Sequence, residues 1–392
     1  MSKDPQAGPE GLTAAEELDA YNVNHFDLTL LGNLPSPEEP STSQQSPFPL
    51  ADEPFVACWQ AWEEEARERG ALATLQRYLP QLSFPIREGM SASDEYRGAT
   101  LAGRDPSQFE SATGLGVDLD PDSIEIEIYP SLAGRVPLIK ARGRDAFVTL
   151  VRALTRRNEP APIPESMGAQ MVGGFNNWHR IWQLKEAYLA TPAEERERAS
   201  WKEEFAWIRG RKELYQDRFI VLSDGPYSAV PAADLGLSDA AWREQSLVLR
   251  RDHECLHYFT RRVFGSMRSN LLDELIADYA GLVAATGRYR AAWFLRFIGL
   301  EDFPRYRAGG RLDLYRGDPP LSQPAFEKLH EQVVAAATRL EAFDRRDPAA
   351  EDTAHRRALR FAALAALRLD ELAASDGPER LRASLEALES QS

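Results

Sequence analysis

Two histidines four positions apart, with a glutamate directly after the first, are the strongest chemical signal in the chain: His253, Glu254 and His257 in RRDHECLHYFTRRVFG. On a helix, at about 100° per residue, positions i and i+4 lie about 40° apart on one face and one turn along. Two imidazoles so placed can close on one metal ion, and Glu254 can reach a water on the open side. Zinc fits, because it takes imidazole nitrogen and carboxylate oxygen and, in a catalytic site, keeps one position for water. A three-ligand site needs a further donor. Glu274, in DELIADYAG, lies seventeen positions beyond His257 and offers one. The interval FTRRVFGSMRSN holds a helix stop at Gly265 and a restart with Ser269 or Asn270 as N-cap. A second helix then runs back with Glu274 near its first turn. Asp278, four residues on, shares that face and can accept the free N–H of a ligand histidine, fixing its tautomer.

HExxH, a short loop and a helix reading (D/N)ExxxD together resemble the gluzincins, the thermolysin-like zinc peptidases, over residues 238–287. The resemblance implies zinc held by His253, His257 and Glu274, with Glu254 as general base and Asp278 supporting a histidine. The interval between His257 and Glu274 is slightly shorter than in thermolysin. Gluzincins also carry a downstream Tyr or His that hydrogen-bonds the oxyanion, for which Tyr306, Tyr315 and His330 are the candidates here. The family's cleft has an edge strand that pairs with the peptide substrate, and by this analogy RFIVLS takes that place, with Tyr227 able to line the cleft.

The elements that must position these groups follow from hydrophobic pattern. SLVLRRDHECLHYFTRRVFG belongs to one long helix capped by Ser238, with Leu249, Leu256, Phe259 and Val263 toward the core. Cys255 lies two positions from each histidine and reads as a small buried hydrophobe. LLDELIADYAGLVAATG is apolar almost all round and is expected to be buried. Acids in such a helix need partners, since a lone buried carboxylate is costly. A metal and a histidine supply them for Glu274 and Asp278, while Asp273 is expected at the helix surface.

Upstream, residues 53–79 read as a helix with Phe55, Cys58, Trp59 and Trp62 on its core stripe. Residues 94–120 are loop-like. SIEIEIYP alternates as a half-buried strand, VPLIKARG is a second strand, and DAFVTLVRALTRR is a helix capped by Asp145. Asn176, Asn177, Trp178 and His179 open another helix after a Gly-Gly bend that lacks the Lys-Ser/Thr of a phosphate loop. His179 and His25 are read as packing or surface residues. Residues 1–52 are rich in Pro, Ser and Glu and are expected to be poorly ordered or loosely docked. Beyond Gly287 the chain is mainly helical scaffold.

The expectation is an α+β protein in three parts: a loose segment over 1–52, a mixed α/β portion with a small sheet over 53–235, and a helical, zincin-like metal portion over 236–392. A net charge of −15 argues against a nucleic-acid surface. Two cysteines far apart form no disulfide framework, and neither a signal peptide nor a membrane span is visible, so a cytoplasmic protein is expected. The function expected is a zinc-dependent hydrolase acting on a peptide or small amide. The rivals are a non-catalytic metal-binding or regulatory protein, and a DNA-binding regulator, which the acidity disfavours.

Overall fold

The computed structural model describes residues 11–33, 47–266 and 271–390, so the expected N-caps Ser269 and Asn270 lie outside the described residues. It is α+β, with a small sheet in its N-terminal α/β portion and a helical C-terminal region. The chain forms two units, a sheet unit of Ala51–Gly225 and a helical unit that joins Met1–Leu50 to Pro226–Ser392.

The chain does not begin as a loose segment throughout. Helix α1 (Ala14–Tyr21) starts with Thr13 and Glu16 in a reciprocal capping box. Hydrogen bonds tie this region into the helical unit, from Asn22 Nδ2 to Gln332 Oε1 (3.0 Å) and from Ser322 N to Glu17 Oε2 (2.7 Å). The polar composition of the surrounding stretch hid a well-capped helix. His25 is exposed.

The sheet unit opens with α2 (Val56–Arg69) and α3 (Ala71–Tyr78), parted at Gly70, whose φ of 87° breaks what its sequence suggests is one helix. Helix α4 (Asp94–Ala102) occupies part of the stretch read as loop, started by the Ser93 side chain accepting from Tyr96 N. Then come β1 (Ile124–Ser131), β2 (Gly134–Ala141), α5 (Arg144–Thr155), β3 (Ala169–Asn176), α6 (Trp178–Ala190), α7 (Trp201–Arg209) and β4 (Gln216–Ser223). Gly143, not Asp145, is the N-cap of α5. The strand order is β1-β2-β4-β3, antiparallel except for β2 against β4. RFIVLS therefore lies in an interior strand, hydrogen-bonded on both sides, and has no free main-chain edge for a peptide. The expected cleft edge strand is not there, because the segment's apolar run buries it inside the sheet.

Trp59, Trp62, Phe147 and Phe219 centre the core of this unit. Within it Asp217 accepts from Trp59 Nε1 (2.8 Å), Asn177 Nδ2 (2.6 Å) and Arg180 Nη1 (2.7 Å). These bonds anchor the start of α6, which Asn177 caps. Beside them, burial and then the Asp217 charge push the Cys58 thiol up to about 12.

The helical unit begins earlier than residue 236. Tyr227 N donates to Ser246 Oγ (3.0 Å) and Trp242 Nε1 to Val230 O (2.8 Å), binding the 226–235 segment to the next helix. That helix is α8 (Asp239–Phe264), capped by Ser238 and stopped at Gly265 with φ 66°. It is followed by α9 (Leu271–Thr286), α10 (Ala291–Ile298), α11 (Gln323–Arg346), α12 (Ala354–Ala366), α13 (Leu369–Ala373) and α14 (Gly377–Glu389). No helix among the described residues is long and apolar enough to cross a membrane.

The Cys58 environment makes an alkaline prediction. The thiol's folded value lies above its ordinary 9.0, so its contribution to stability is complete below about pH 9 and is lost as pH rises toward about 12. In native protein at pH 8, alkylation followed residue by residue in a mass spectrometer should leave Cys58 unmodified until denaturant is added. Labelling at the rate of a free thiol would contradict this environment.

Candidate metal centre

Helices α8 and α9 run antiparallel in close register, since the partners on α9 descend as those on α8 ascend. Leu249 faces Gly281, His253 faces Asp278, and His257 faces Asp273. The closest approach is at Gly281, where an added Cβ would lie 2.5 Å from the Leu249 carbonyl oxygen. Glycine here admits the backbone of one helix to that of the other, one turn before His253.

His253, His257 and Glu274 are buried, and each presents a ligand atom within 4.8 Å of the others. The two Nε2 atoms are 3.1 Å apart, and the Glu274 carboxylate oxygens lie 3.6 Å from that of His253 and 3.4 Å from that of His257. Tetrahedral zinc bound at about 2.0–2.1 Å from each donor spaces its donors about 3.3–3.4 Å apart, close to these separations, although the two histidines approach different oxygens of Glu274.

The opposite nitrogens are also held. His253 Nδ1 lies 2.8 Å from Asp278 Oδ1, and His257 Nδ1 lies 3.0 Å from Asp273 Oδ2. A proton on each Nδ1 leaves both Nε2 lone pairs aimed at one point, an arrangement that repels without a cation between them. Charge leads to the same conclusion. Asp273, Glu274 and Asp278 are all buried, at 1%, 6% and 0% exposure. Arg311 reaches two of them, Glu274 and Asp278, and burying three acids this close together favours a cation among them. The crowding of charge shifts the titration of the cluster. Burial opposes charge on His257, yet Asp273 and Glu274 outweigh it and raise its pKa well above the usual histidine range. Burial likewise opposes the Glu274 carboxylate, and the two histidines and Arg311 nevertheless hold its pKa far below normal.

A polar frame surrounds the triangle. The Tyr227 hydroxyl donates to Asp278 Oδ1 (2.5 Å), lies 3.0 Å from His253 Nδ1, and accepts from Arg311 Nη1 (2.8 Å). Arg311 also pairs with Asp278 through Nη2 and reaches Ser228 Oγ at 3.3 Å. Ser228 and Ala229 have φ of 51° and 56°, a left-handed pair without glycine that costs roughly 1–2 kcal/mol per residue. The Arg311 and Tyr227 bonds hold this strained turn beside the centre. Tyr315 lies near enough to Glu274 and Arg311 for their charges to shift its hydroxyl's titration. Tyr21, from α1, donates to the Tyr315 carbonyl at 2.8 Å.

The residues read from sequence as ligands, His253, His257 and Glu274, come together, with Asp278 behind His253 as expected. Glu254 is partly exposed and has neither an ion pair nor a hydrogen bond among the described residues. Of the three oxyanion candidates, Tyr315 reaches the cluster. His330 packs against Phe326 and Tyr306, with ring centroids 4.5 and 5.3 Å away, and has no contact with the cluster among the described residues. Asp273 is not on the surface but buried behind His257. The rule that an acid in an all-apolar helix needs a partner applied to it as well. Tyr227 reaches the cluster as part of its frame rather than as lining beside a strand. Arg311 gave no signal, being far away in sequence and outside any motif.

A family described as "Family of unknown function (DUF7005)" matches residues 11–376, and the chain belongs to it. No curated protein and no solved structure matches the chain.

Purified protein should carry about one zinc per chain by elemental analysis, and His253→Ala and Glu274→Ala should lose it. Asp273→Asn and Asp278→Asn should each weaken zinc affinity by about 10–100-fold. Equal metal content in wild type and His253→Ala would remove the ligand assignment. Gly281→Ala forces α9 away from α8, and should lower stability by about 1–3 kcal/mol in denaturant melts and weaken zinc binding with it. Unchanged values for both would mean that the close approach is not needed.

Proposed function

We propose that this member of the family is a zinc-dependent hydrolase that cleaves an amide, most simply a peptide bond, by a gluzincin-like route. The observation that carries the reading is Glu254: an uncommitted carboxylate next to His253, on the helix that supplies two convergent imidazoles. A protein that only stored or sensed a metal has no need of that group.

His253, His257 and Glu274 would hold the zinc, which would supply a water of lowered pKa and Lewis-acid polarisation of the scissile carbonyl. Glu254 takes a proton from the attacking water as the carbon–oxygen bond forms. It passes that proton to the amine as the carbon–nitrogen bond breaks, leaving a carboxylate and a free amine. Asp278 and Asp273 keep the imidazoles in the tautomer that presents Nε2. Burial, and then the Glu274 charge, raise the Tyr315 hydroxyl's pKa so that it keeps its proton, and we assign it as the donor to the developing oxyanion. His330, packed between Phe326 and Tyr306, has no part in this scheme. We place the protein in the cytoplasm, where its two free cysteines would stay reduced.

The test is a proteome-derived peptide library incubated with zinc-loaded protein, with new termini read by mass spectrometry. Wild type should generate new termini, and Glu254→Gln should keep its zinc but cut at least about 100-fold more slowly. Undiminished cleavage by Glu254→Gln would reject the base assignment. A zinc-loaded wild type that cuts nothing, in this library or in a panel of small amides, would favour a non-catalytic metal protein.

A further inference from the structure

The sheet unit contains a second feature suited to binding. Helices α4, α6 and α7 line an open cavity of about 400 Å³, walled by Trp178, Trp182, Trp201, Phe205 and Tyr215 with Arg209 at its lining. That volume suits a small molecule, since ligand pockets run from about 300 to 1,000 Å³.

One wall is fixed in place. Trp178 Nε1 donates to Thr100 O at 2.9 Å, and its ring lies against Gly103, where a Cβ would sit 2.2 Å from the indole. Gly103 has φ 64°, so glycine is required both for the turn and for the ring's position. Across the cavity Trp201 and Phe205 stack, with centroids 5.8 Å apart. Trp182, by contrast, is 41% exposed, unusual for so large an apolar side chain beside other aromatic rings.

The charges at this site select the ligand. Lys185 Nζ lies 5.1 Å from the Trp182 ring centre and 6.0 Å from that of Trp201. Arg209 lines the cavity and lies over Phe205, at 5.8 Å. Among the described residues neither cation pairs with a carboxylate, although the chain as a whole carries a net charge of −15. A cationic guest would compete with Lys185 for the indole faces and be repelled by Arg209. A planar ring bearing an acid satisfies the aromatic walls and both cations.

We infer that this cavity is a binding site for a small planar aromatic anion, with the ring held by Trp178, Trp182 and Trp201 and the acid by Arg209, while Lys185 beside the Trp182 and Trp201 rings adds positive charge nearby. The proposal is independent of the metal centre. Its test is saturation-transfer NMR and calorimetry on the full chain with three probes: indole-3-acetate, tryptamine (the same ring with opposite charge) and acetate (the charge without the ring). Indole-3-acetate should bind saturably and at least about tenfold more tightly than either of the others. Arg209→Gln, at an exposed position, should remove most of the preference over tryptamine. Trp182→Ala should weaken indole-3-acetate at least about tenfold while circular dichroism and thermal melting stay unchanged. Equal affinity for tryptamine and indole-3-acetate, no saturable binding into the millimolar range, or binding indifferent to both substitutions would each overturn the proposal.

Discussion

The buried His253, His257 and Glu274 cluster depends on how closely two helix backbones approach. Gly281 rests against the Leu249 carbonyl, and the antiparallel register set there carries down both helices to the pairs at His253 and His257. Helical periodicity converts that one contact into a triangle of donors, because His253 and His257 are one turn apart, as are Glu274 and Asp278. A bulkier residue at 281 would separate the helices and open the triangle, with every ligand still present.

Such an arrangement concentrates charge. Three buried acids on one helix are tolerated because each has a defined partner: Asp273 faces His257, Glu274 faces both imidazoles, and Asp278 is shared by His253, Tyr227 and Arg311. Acids gathered this closely in a buried place repel one another, so the groups that would favour binding a cation also cost stability. The surrounding bonds draw on distant parts of the chain: α1 through Tyr21, the strained turn after Pro226, and the short helical turn holding Arg311 and Tyr315.

What could be read in the sequence was what local spacing determines. The pairing of the two helices, the convergence of His253, His257 and Glu274 and the contact of Asp278 with His253 follow from periods of four and from the cost of burying an acid. Asp273 escaped because a neighbour of Glu274 is turned about 100° away, and spacing alone does not say which side of a wholly apolar helix meets solvent. Tyr227 and Arg311 escaped because tertiary folding, not periodicity, brings them in. RFIVLS was legible as a strand, but strand order depends on crossovers that alternation does not encode, so its interior position was not. Helix α1 was masked by the polar composition around it, although Thr13 and Glu16 form a recognisable start signal.

The register at Gly281 also bears on how distant kin should be sought. The pairs across the two helices depend on spacing within each helix and not on the length of the connection after Gly265. A search pattern built as two rigid words, HExxH and DExxxDxxG, separated by a gap of variable length, would retain homologues with longer or shorter hairpins that a fixed-interval pattern discards. The final glycine is the letter that separates them from chance occurrences of the first word.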